Sequence, residues 1–76
     1  MSRRPRLRLA PENRGALVSI EIPLTRFVVE KWIQLPAGAV GLYVGSIGVG
    51  GKMFAQVLFR DCPVPLLLNP KILKIM

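Results

Sequence analysis

Hydrophobic and polar positions alternate in short runs along this chain, and proline and glycine separate the runs. Residues 16–22 place Val18, Ile20 and Ile22 on one side and Ser19 and Glu21 on the other, until Pro23 ends the run. Residues 27–35 fit two periods. Val28, Trp32 and Leu35 share a helical face, whereas Phe27, Val29, Ile33 and Leu35 share a strand face interrupted by Lys31. The short span between Thr25 and Pro36 predicts a structured loop or a short strand. Leu35-Pro36-Ala37-Gly38 reads as a turn, followed by a strand over 40–45 with Val40, Leu42 and Val44 on the inward face and Tyr43 on the outer one. Residues 46–51 read as a glycine-rich hairpin loop. The clearest strand is 53–60, with Ala55, Val57 and Phe59 opposite Phe54, Gln56 and Leu58. Asp61-Cys62-Pro63 predicts a turn, and 64–68 a strand whose Pro65 suits a sheet edge. Asn69-Pro70-Lys71 predicts a tight turn with one turn of 3₁₀ helix, and 73–76 a last strand. The predicted fold is all-β.

At 76 residues and 8.4 kDa the chain holds one small domain. A domain of this size buries only about 60% of its unfolded surface, so its core is marginal. Hydrophobic residues make up 51% and charged residues 20%. That is little polarity for a small monomer, so part of the surface is expected to meet a larger protein assembly or a second copy. The charge-free stretch 35–51 is rich in glycine and lacks the ~20 strongly apolar residues of a membrane span, so no transmembrane segment is expected. No apolar run follows the basic N-terminus, so no signal peptide is expected. A single cysteine fits a reducing intracellular compartment, or a virion.

Charge divides the chain. Residues 1–14 carry Arg3, Arg4, Arg6, Arg8 and Arg14 against Glu12, and residues 15–76 are mildly basic, for a net charge of +7. Pro5 and Pro11 keep the first segment out of a helix. The organisation expected is an extended basic arm over 1–14 and a β domain over 15–76. Guanidinium groups pair bidentately with phosphate or carboxylate, so the five arginines are candidates for binding nucleic acid or an acidic protein surface. On a protein surface, Leu7 and Leu9 would be the anchors. Such arms typify subunits of ribonucleoproteins and virions.

Five short strands, a long loop after the first, the run Leu35-Pro36-Ala37-Gly38-Ala39-Val40-Gly41, the strand Val57-Leu58-Phe59 and the turn Leu68-Asn69-Pro70-Lys71-Ile72-Leu73 together resemble an SH3-like small β-barrel of the KOW-like or accessory-subunit type. The resemblance covers residues 15–76 and implies a five-stranded barrel. Proteins of this superfamily include ribosomal proteins, transcription factors, accessory subunits of membrane-bound electron-transfer complexes and phage assembly or inhibitor proteins. The fold therefore leaves function to the surface.

Chemistry is sparse. The chain has no His, which excludes His-based triads and His metal sites. One cysteine excludes a zinc ribbon and a CxxC pair. Cys62 stands between Asp61 and Pro63 with no base to activate it. Residues 45–52 have glycines but not the Lys-Ser/Thr spacing of a phosphate loop, and they lead into a strand. Lys52, Arg60, Lys71 and Lys74 read as scattered solvating charges, with a basic rim as the alternative. Trp32, Tyr43, Phe54 and Leu58 are candidate contact residues for a protein interface. The expectation is a non-enzymatic small subunit with no cofactor, docking an apolar face on a larger complex. Direct binding of RNA or DNA, and a phage-type inhibitor of a host protein, are the alternatives.

Overall fold

The computed structural model describes residues 5–76, which form an all-β protein with a five-stranded and a two-stranded sheet. The strands are β1 (Leu17–Ile20), β2 (Leu24–Val28), β3 (Lys31–Leu35), β4 (Val40–Val49), β5 (Lys52–Phe59), β6 (Leu66–Leu68) and β7 (Leu73–Ile75). The large sheet runs β6-β5-β4-β1-β7, each neighbouring pair antiparallel, and β2 pairs only with β3. Among the described residues no helix is long and apolar enough to cross a membrane.

The core gathers one face of each large-sheet strand. Val18 and Ile20 come from β1, Tyr43 from β4, Ala55, Val57 and Phe59 from β5, Leu66 and Leu68 from β6, and Leu73 from β7. Ile33 of β3, Leu7 of the N-terminal segment and Cys62 complete it. The inward assignment of Val18, Ile20, Ala55, Val57 and Phe59 matches the alternation. Ile22 does not go in, because β1 stops at Ile20 and the chain bends before Pro23, leaving Ile22 exposed.

Strand β4 has its faces reversed relative to the expectation. Val40 and Val44 are exposed and Leu42 is half-buried, while Gly41 and Tyr43 face the core. The cause is a close approach. A Cβ on Gly41 would lie 2.5 Å from Val57 Cγ1 and 2.9 Å from Phe59 Cε1, so the inward position opposite Phe59 has no room for a side chain. One position on, Tyr43 fills the space over Val57 and is only 1% exposed. A bulge between Tyr43 and Gly45 then leaves Val44 unpaired and bends the strand.

Residues 46–49 continue β4 instead of forming the expected loop. Ser46 to Val49 pair with Ala55 to Lys52, and only Gly50-Gly51, both at left-handed φ, make the turn. Residues 27–35 resolve into the second half of a hairpin. Its turn is Val29-Glu30, with φ +46° and +66°. A two-residue hairpin turn favours left-handed residues such as Asn-Gly. A β-branched valine there is strained by on the order of 1–2 kcal/mol. Proline at 63 and 65 shortens the next strand to Leu66–Leu68, at the sheet edge. Asn69 Oδ1 accepts from Lys71 N at 2.9 Å and starts the expected 3₁₀ turn, Pro70–Ile72.

The described part of the arm lies along β7. Leu7 N donates to Leu73 O at 3.2 Å, Ile75 N donates to Pro5 O at 2.9 Å, and Arg6 bridges Lys74 in antiparallel register. A 3₁₀ turn at Pro11–Asn13 and Gly15, at φ +87°, swing the chain into β1.

Gly41→Ala should lower the unfolding free energy by about 1–3 kcal/mol through overpacking against Val57 and Phe59. Urea titration followed by Trp32 fluorescence and circular dichroism measures this as a lower midpoint at unchanged slope.

Candidate interaction surface

The reversal of β4 creates an apolar row on the outer face of the large sheet. With Gly41 and Tyr43 inward, Leu42 points out and stands in register with Leu17 of β1 on one side and Leu58 of β5 on the other. Leu17 is 54% exposed, Leu58 is exposed and Leu42 half-buried. Directly opposed side chains on one sheet face lie in contact range, so the three leucines form a row across three strands. Val40 and Val44 are exposed beside it, and beyond the bulge Ile47 stands opposite Phe54 on the same pair of strands. Gly45 is buried between the Gln56 side chain and Arg14: a Cβ there would lie 3.3 Å from Gln56 Oε1 and 4.0 Å from Arg14 Nε.

A second apolar group sits on the β2–β3 hairpin. Phe27 and Trp32 are opposed in register and exposed by 60% and 68%. Their rings meet edge-on, with centroids 5.2 Å apart and planes at 64°. Val29, at the turn, is 66% exposed. The other hairpin face carries Leu24, Val28, Ile33 and Leu35 onto the core. At the hairpin base, a shallow open depression is lined by Pro23, Leu24, Thr25, Gln34, Leu35 and Pro36, none of which ionises.

The expected contact residues divide. Trp32 and Leu58 are exposed and Phe54 is half-buried. Tyr43 is not a surface residue, because the close approach at Gly41 puts its strand face inside. Leu7, expected to anchor a partner, is 5% exposed and belongs to this chain's own core, with Leu9 packed against it. Phe27, Val29, Leu17 and Leu42 were missed as surface residues. For Leu42 a signal was present, a strand with glycine or tyrosine at every second position and aliphatics between, which marks both faces as apolar.

The basic residues also divide. Arg3 and Arg4 lie outside the described residues. Arg6 donates from Nη1 to Lys71 O at 2.8 Å, which brings it together with Lys71 and Lys74 along one edge. Lys74 is also 4.0 Å from Glu21. Arg8 and Arg14 are exposed, and Arg8 O accepts from Asn13 Nδ2 at 2.9 Å.

No protein-family model, curated protein or solved structure matches this chain. The surface alone must therefore carry the functional reading.

Among the described residues no group of three or more His, Cys, Asp and Glu side chains converges in a way that could hold a metal. Cys62 is buried, and burial pushes its thiol up, with Asp61 adding to the shift and Lys31 opposing it. The thiol therefore remains protonated near neutral pH. An acid whose folded-state pKa is raised contributes stability that is present below the unfolded value and is lost as pH rises through the folded value. Native protein at neutral pH should thus react with a thiol reagent far more slowly than urea-unfolded protein. Cys62→Ala should flatten the decline in stability above the ordinary thiol range of roughly 8.5, as read by denaturant titrations across pH.

Proposed function

We propose that this protein is a non-enzymatic assembly subunit that docks the outer face of its large sheet on a larger protein complex. The exposed row Leu17–Leu42–Leu58, flanked by Val40 and Val44, carries this reading. Contiguous apolar area of this kind is costly on a free monomer and characteristic of an interface. The SH3-like barrel is the finer fold reading. It is supported by the sheet order β6-β5-β4-β1-β7, the hairpin inserted after the first strand, and the 3₁₀ turn before the last. The described part of the arm belongs to this unit as a strand-like edge, so its arginines act from a held backbone.

Direct nucleic-acid binding is the second reading. The clustering of Arg6, Lys71 and Lys74 on one edge favours it over scattered charge. In that case affinity falls steeply with salt.

Leu17→Ser with Leu58→Ser removes only exposed leucines. The double variant should keep the wild-type unfolding midpoint to within about 1 kcal/mol. It should lose the partner that co-purifies with the tagged wild-type chain after nuclease treatment. A wild-type chain that elutes alone as a stable monomer from its native source overturns the docking reading. Retention that nuclease abolishes, with a salt slope reduced by about one for each of Arg6→Gln and Lys71→Gln, establishes the nucleic-acid reading instead.

A further inference from the structure

We infer that the β2–β3 hairpin is a membrane-surface probe that inserts its tip into an anionic bilayer. The tip presents Val29 at the turn and the Phe27–Trp32 pair two residues along each strand, all exposed. At ~3.4 Å per residue the aromatic pair stands roughly 7 Å from the tip and Arg26 roughly 10 Å. Interfacial segments bury their apolar side about 5–10 Å into the headgroup and acyl boundary. Val29 would then enter the acyl boundary, and Phe27 and Trp32 would lie at the interface that aromatic rings favour. Arg26 would meet the headgroups, and Lys31 could extend its ammonium to the same level.

Charge selects the lipid. Glu30, the one acid of the hairpin, offsets one of its two cations, and the +7 of the whole chain supplies the attraction to anionic headgroups. The same charge opposes a second copy of this chain as the occupant. An aliphatic side chain at the turn has nothing to stack with in a nucleic acid but has a place in lipid. The left-handed Val29-Glu30 turn adds an independent indication. Asn-Gly would hold this turn without strain, yet an exposed valine stands in it.

No residue of the outer sheet face takes part in this contact, so it stands apart from docking through Leu17, Leu42 and Leu58. Trp32 is the only tryptophan, so its emission reports the tip directly. Full-length protein is titrated with phosphatidylcholine vesicles with and without phosphatidylserine, and binding is read by Trp32 emission, quenching by brominated lipid and co-sedimentation. The expected result is a blue shift and quenching with the serine lipid. Binding should weaken more than about tenfold in Phe27→Ser with Val29→Ser. It should weaken about fivefold for each of Arg26→Gln and Lys31→Gln. Leu17→Ser with Leu58→Ser should leave it unchanged. Val29→Asn relieves the turn without changing its charge, so it should raise the unfolding midpoint while weakening binding, which separates contact from folding. Unshifted Trp32 emission with both vesicle types overturns the inference. So does vesicle binding that leaves Trp32 open to aqueous quencher, which would assign the contact to the arm. A shift with single-stranded oligonucleotide but not with vesicles also overturns it, in favour of base stacking.

Discussion

The approach of β4 to β5 at Gly41 governs the rest of this molecule. Val57 and Phe59 occupy the space where a side chain at position 41 would go. That single exclusion decides which face of β4 is inside. Tyr43 follows Gly41 inward and becomes one of the largest fully buried side chains. Val40, Leu42 and Val44 are then obliged to face out, although their composition suits a core. The row Leu17–Leu42–Leu58 is a consequence of packing on the opposite face of the same strand. Interior fit and surface chemistry are thus coupled through one strand.

A small domain has few ways to complete a core, and this one draws on its N-terminal arm. Leu7 enters the cluster with Leu73 and Phe59, and backbone hydrogen bonds at Pro5 and Leu7 pair the arm with the edge of β7. Covering an edge also blocks unwanted strand pairing. The price is that the arm's basic groups from Arg6 onward act from a fixed position. Arg6, held on Lys71 O beside Lys74, concentrates positive charge that the linear sequence spreads over its two ends.

The β2–β3 hairpin contrasts with that economy. One face closes over the core through Ile33, and the other holds two aromatic rings in water. Its turn keeps strain that an ordinary pair of turn residues would relieve. Stability and exposure are traded in the same few residues, which is the pattern expected where a surface is kept for contact rather than for folding. The hairpin and the outer sheet face are two exposed apolar surfaces, basic-flanked at the hairpin and aliphatic across the sheet.

The sequence by itself determined the all-β class, the inward set Ala55, Val57 and Phe59, the Asn69-Pro70-Lys71 turn and the edge position of the proline-bearing strand. Each of these follows from local rules: period-two alternation, a missing backbone donor, or a side chain that caps its own turn. It also placed Leu58 opposite the inward set of its strand, and Leu58 is exposed. The hairpin at 24–35 was hidden because its turn lacks the glycine or asparagine that marks left-handed residues. The face of β4 was hidden for a related reason. Alternation shows that two faces differ but not which one meets the core when both are apolar, and glycine reads as a break until something is seen to fill its space. Tyr43, Leu42 and Leu7 were therefore placed only by the tertiary structure, since each depends on contacts with strands distant in the chain.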